Sequence, residues 1–179
     1  SYINEEILAE WCDIAQCYRW MNYQAHIHYS RLNTWFTLPI ISLSTLNGTA
    51  SFMQMGGNTY HDLPMIVGTI SIFIGIMSTV QQYLKVSELK EAFRISTIAW
   101  DKYARNIYIE LSKPPLDRME AGMFIKLCRQ EYDRMLENNP MIPQYIIDRF
   151  KKAFTGKTEE EKEHFSRIKK PDICDVIVS

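Results

Sequence analysis

Hydrophobic positions follow three regimes along this chain. Near the start, Ile7, Trp11, Ile14, Tyr18, Met21, Ala25, His28, Leu32 and Trp35 recur at alternating steps of four and three, the seam of an amphipathic helix. Residues 32–61 and 63–84 then contain no charged side chain. The four-and-three spacing returns through Leu89, Phe93, Ser96, Trp100, Tyr103, Ile107 and Leu111, until Pro114 and Pro115 stop it.

A bilayer core takes about 20 apolar residues in helical form. Residues 34–55 and 63–84 each meet that length, and the short polar link between them, with paired glycines at 56 and 57, predicts an antiparallel pair. Asp62 is placed to N-cap the second helix, and Pro64 is tolerated in its first turn. Asn4 is the expected N-cap of the first helix, and no Pro or Gly interrupts that helix before Pro39. Downstream, the pattern predicts a helix over 117–137, a short amphipathic piece over 144–154, a mixed-charge helix or arm over 157–170 and an apolar end over 173–178.

The predicted fold class is therefore all-α membrane protein, a transmembrane helical hairpin continuous with long amphipathic helices that form an extramembrane bundle or stalk. The expected organisation is an N-terminal amphipathic helix (1–33), a two-helix hairpin (34–84), a post-membrane helical domain (85–154) and a charged tail with an apolar end (155–179). The alternative is a soluble protein with two buried core helices, since Ser, Thr, Asn47 and Pro39 lower the hydropathy of the first stretch.

The net charge of −1 over 179 residues argues against a general nucleic-acid surface. Cys12, Cys17, Cys128 and Cys174 are scattered without a CxxC pair, which indicates neither a zinc site nor a disulfide framework. Residues 1–6 lack the basic and apolar regions of a cleavable signal peptide. Arg19 and Arg31 precede the first span, Lys85, Lys90, Arg94 and Lys102 follow the second, and the link has no Lys or Arg. The positive-inside rule then places both termini on the cytosolic-type face, with Trp35, Tyr60 and Tyr83 in the interfacial aromatic belts.

Motifs of catalysis are absent: no GxSxG, glycine-rich phosphate loop or HExxH occurs. The expectation is a non-enzymatic protein with no cofactor or metal. His26 and His28 are two residues apart and face different directions on a helix, so they are read as packed or interfacial. The run Glu159, Glu160 and Glu161 reads as a solvated face.

The informative polar residues lie within the spans. Gly68, Ser71, Gly75, Ser78 and Gln82 share one face of the second helix, and Ser44, Asn47, Gly48 and Ser51 form a strip on the first. Small and hydroxylated strips let transmembrane helices approach closely, so these residues are expected to pack helices, within the pair or in a homo-oligomer. Alternatively, Asn47, Thr49 and Ser51 line a pore, but the spans lack the charge that would mark an ion path. Tyr145, Ile146 and Phe150, with Ile173 and Val176 near the end, are the expected contacts for a partner protein.

The segment 33–48 (NTWFTLPIISLSTLNG), 103–111 (YARNIYIEL), 129–134 (RQEYDR) and 140–143 (PMIP) resemble SLATT-type two-transmembrane proteins, and are most similar to versions encoded by large DNA viruses of eukaryotes. The resemblance covers residues 6–154 and leaves the tail aside. For the viral branch it implies a structural protein of the virion inner membrane that anchors capsid-layer proteins. For the bacterial branch it implies an oligomeric pore-forming or membrane-permeabilising effector. A cellular two-span adaptor is a third reading.

Overall fold

The computed structural model describes residues 2–57 and 62–174. Every regular element among them is helical: α1 (Tyr2–Met55), α2 (Leu63–Tyr83), α3 (Val86–Ser112), α4 (Ala121–Asn138), α5 (Gln144–Ala153), α6 (Glu159–Arg167) and a 3-10 turn (Asp172–Cys174). The expected all-α class is therefore observed. Two compact units divide the chain, one of residues 1–26 with 91–179 and one of residues 27–90.

Helix α1 runs for 54 residues and passes through Pro39 without interruption. Its start at Tyr2 puts Asn4 inside the first turn, which corrects the expected N-cap. Asp62 does occupy the N-cap position of α2, with Pro64 in the first turn, but its carboxylate makes no capping bond. Helix α4 begins four residues later than the predicted 117–137 helix, because Glu120 caps it, accepting hydrogen bonds from the Gly122 and Met123 amides at 2.9 and 2.8 Å. Lys85, with φ of 49°, separates α2 from α3, so the helix pattern does not run on unbroken from residue 84.

In the first unit, the α3 stripe Phe93, Trp100, Tyr103 and Ile107 is fully buried or nearly so, together with Leu8, Ala15, Tyr18, Met21 and Ala25 of α1. Tyr18 stacks on Trp100 with centroids 4.6 Å apart, and Tyr132 of α4 closes on the same ring at 5.8 Å. The upstream and downstream seams thus meet within one chain. The α1 seam is rotated from its expected register, since Leu8, Ala15 and Asn22 are buried while Trp35 is 69% exposed. From α5, Ile146, Ile147 and Phe150 complete this core. Trp20 meets Phe150 and Phe154 edge-on, each at 5.6 Å, and Phe165 of α6 covers Phe154 at 5.2 Å.

Three polar ties hold the core in register. Asn139 Oδ1 accepts from Asn22 Nδ2 and from Trp100 Nε1, both at 3.0 Å. Tyr103 donates its hydroxyl to the Cys128 carbonyl at 3.2 Å. Arg118 fastens the proline turn by donating to the carbonyls of Leu111 and Lys113 and to Glu5 of α1 at 2.6 Å.

In the second unit, Gln81 Nε2 donates to Asn33 Oδ1 and Thr37 Oγ1, while Asn47 Nδ2 donates to Ser71 Oγ at 2.6 Å. The partner number falls in α1 as it rises in α2, which is the antiparallel order.

Candidate functional site

The candidate site is the surface of the second unit. One helical stretch among the described residues, Leu63–Ser112, is long and apolar enough to cross a membrane, and none of its most apolar window is buried. The comparable part of α1 does not reach that threshold of apolarity, so composition alone supports one such helix rather than the two expected. Even so, Leu38, Ile41, Leu46, Phe52 and Met53 of α1 are as exposed as Met65, Ile66, Ile72, Phe73 and Ile76 of α2, each more than half. Burial of apolar area from water stabilises by about 25 cal/mol per Å², so apolar side chains exposed to this extent are costly in water.

Six hydroxyls of the two helices are satisfied locally. Thr45, Thr49 and Ser51 donate to the carbonyls of Ile41, Thr45 and Asn47, and Thr69, Ser71 and Thr79 donate to those of Met65, Val67 and Gly75, all at 2.8–3.0 Å. Each bond runs back four residues on the same helix. This is how a hydroxyl meets its hydrogen-bonding need without water.

The expected packing residues separate into two groups. Asn47, Ser51 and Ser78 are half-buried, and Asn47 reaches Ser71 across the pair. Ser44, Gly48, Gly68, Gly75 and Gln82 are exposed, and a Cβ added at any of the three glycines would meet nothing within 4 Å. Towards α1, helix α2 instead turns Leu63, Val67, Ile70, Ile74, Met77 and Gln81, all half-buried at four-and-three spacing. Within the chain, then, larger apolar side chains and a few amides make the contact, and the glycine faces are left open. Sequence reasoning missed Gln81 and Asn33, although Gln81 falls on the same heptad of α2 as the apolar contacts. Among the described residues, Asn47 Oδ1 and Gln54 Nε2 are buried without a partner.

For the expected partner contacts the structure requires a correction. Ile146 and Phe150 are 0% exposed and belong to the core of the first unit, so they are consumed by the chain itself. Tyr145 is 45% exposed on the other side of α5. Ile173 is half-buried in the 3-10 turn, and Val176 lies outside the described residues. The charged segment forms α6, whose start carries a capping box between Thr158 and Glu161. Beyond it the chain docks on α1, where the Lys169 amide donates to Asp13 Oδ2 at 3.3 Å beside a cleft lined by Glu6, Glu10, Arg167 and Lys170. Burial there pushes the Asp13 carboxyl up, and the Lys169 bond partly opposes it.

Titratable groups elsewhere are tuned by packing. Desolvation raises Cys17 and Tyr18 to about 12 and Cys128 to about 11, and it raises Tyr103 further still. These are core groups held neutral. The Arg19 guanidinium, hydrogen-bonded at 2.6 Å, lowers Asp101, with Arg105 adding to the effect. Among the described residues no group of His, Cys, Asp and Glu is arranged to hold a metal ion.

No family model, curated protein or solved structure matches this chain.

Proposed function

We propose that this chain is a non-enzymatic integral membrane protein with two spans, α2 and the 34–55 part of α1, that anchors a helical domain to a bilayer. The observation that carries this reading is that no residue in the apolar window of α2 is buried, when a soluble protein's core helix of the same composition would be. Local satisfaction of the span hydroxyls supports it, as does the antiparallel amide pairing of α1 with α2. The two spans form a hairpin, with both termini on the cytosolic-type face.

The anchored domain has a dense aromatic core, and the role proposed for it is binding. Its partners are capsid-layer or other membrane-associated proteins, not nucleic acid. The resemblance of residues 33–48, 103–111, 129–134 and 140–143 to viral SLATT-type proteins supports placing it in the inner membrane of a large DNA virus particle as a minor capsid or membrane protein. Mass spectrometry of purified particles, before and after detergent stripping of the inner membrane, tests this. The chain is expected in intact particles and in the stripped fraction, and its absence from particles would sink the virion reading.

A second reading, an oligomeric pore, draws on the open glycine faces of the spans, which leave room for further helices. Planar-bilayer recording separates the two. An anchor leaves the membrane silent, whereas stepwise conductance lost on Asn47→Leu would establish the pore.

A further inference from the structure

Helix α1 carries a cavity of about 400 Å³ lined by Ser30, Arg31, Thr34, Trp35, Leu38 and Pro39. The six residues occupy one face over a little more than two turns, so the groove runs along the helix, its wall almost wholly apolar and Arg31 at one end. Trp35 is 69% exposed and Leu38 59%, so their side chains wall the groove without filling it. Pro39 has no N–H, so the Trp35 carbonyl lacks its helical donor at the apolar end of the groove. At the polar end, Arg31 is exposed and forms no ion pair among the described residues, unlike Lys85 and Arg94, which pair with Glu88 and Glu91.

We propose that this groove binds one anionic phospholipid, its phosphate on Arg31 and the first part of an acyl chain against Trp35, Leu38 and Pro39. The inference rests on the membrane reading above and deepens it, by assigning the bilayer a specific point of contact. From Arg31 to Pro39 the helix rises about 12 Å, the distance from a lipid phosphate into the upper acyl region. Arg31 lies at the end of the span where headgroups sit, and Trp35 one turn deeper suits the interfacial belt. A guanidinium can donate two hydrogen bonds to one phosphate, and the Ser30 hydroxyl is beside it. Charge complementarity selects the headgroup, and the apolar wall excludes a free phosphate as the full ligand.

Tryptophan quenching in vesicles containing the full chain tests the site. Phosphatidylcholine vesicles receive the same small fraction of either phosphatidylglycerol or phosphatidylcholine brominated near the carbonyl end of the acyl chain. Subtracting the signal of Trp35→Phe isolates Trp35, because Trp11, Trp20 and Trp100 contact Tyr132, Phe150 and Tyr18 in the other unit. One cation at an anionic headgroup is expected to enrich phosphatidylglycerol about fivefold at Trp35. Arg31→Gln should abolish that preference and Arg31→Lys should keep most of it. Equal quenching by both lipids, or a preference that survives Arg31→Gln, overturns the lipid site and leaves the membrane reading intact. Failure of both lipids to quench Trp35 overturns the two together.

Discussion

Asn139 accepts hydrogen bonds from Asn22 of α1 and Trp100 of α3 at once, so a single amide oxygen fixes three helical segments in one register. Replacing it by Ala leaves the buried Trp100 N–H without an acceptor and Asn22 with only its bond to the Tyr18 carbonyl, which costs about 1–3 kcal/mol. Thermal unfolding of Asn139→Ala should therefore fall several degrees below that of the natural chain, and Asn139→Asp should recover part of the loss. Buried acids set a second expectation. Cys17, Cys128 and Tyr18 titrate higher folded than unfolded, so the stability they lend is complete below their unfolded values and drains away as pH climbs from 9.0 to about 12. Asp101 acts in the opposite direction. Its carboxylate is lowered by Arg19, so its contribution is present above its unfolded value and disappears as acid protonates it. A denaturant midpoint followed over pH should show both flanks, steeper on the alkaline side. Iodoacetamide at about pH 8 should leave Cys17 and Cys128 unmodified in the folded chain, because so little thiolate is present. Rapid alkylation of either would contradict the packing described.

At the scale of elements, the α6 segment depends on its entry. Gly156 has φ of 77°, and a Cβ there would lie 2.6 Å from the Lys162 nitrogen, so no other residue fits without moving α6. Gly156→Ala should release hydrogen-exchange protection across residues 159–167 and leave that of α3 and α4 unchanged. Thr158→Ala should do the same more mildly, at a cost of about 1 kcal/mol. For the paired helices, Gln81→Ala removes bonds to Asn33 and Thr37 and should weaken their association by about 0.6 kcal/mol, measured by unfolding in mild detergent. Much of this architecture was legible in the residues. The α3 stripe emerged because its period is regular and its aromatic residues are large, and Pro114 with Pro115 marked its end. What escaped has a physical cause. Heptad spacing does not distinguish Trp11 from Leu8 as the more buried edge, since α1 faces α3, α4 and α5 together and the wide contact admits both. Ile146 and Phe150 looked available because a short amphipathic helix shows an apolar face without showing what covers it. The glycine strips of the spans were equally plain, yet period alone could not say that the larger residues of α2 would face α1.

For the whole molecule, the proposed function rests on the contrast between a unit with a buried aromatic core and a helix pair with exposed apolar faces. One unit buries Trp100, Phe93 and Phe150 completely, and the other exposes Phe52, Met65 and Ile72. That division fits a domain held at a bilayer by a helix pair, whether the domain then meets a capsid or another protein. The most direct test is the sidedness of single cysteines in the full chain expressed in cells with the native cysteines replaced. Glu10, Asp62 and Glu160 are exposed positions on either side of the proposed spans. With an impermeant maleimide, Asp62→Cys should label in intact cells, while Glu10→Cys and Glu160→Cys should label only after permeabilisation. Labelling of all three from the same side, or release of the protein from membranes by alkaline carbonate, would contradict the two-span anchor.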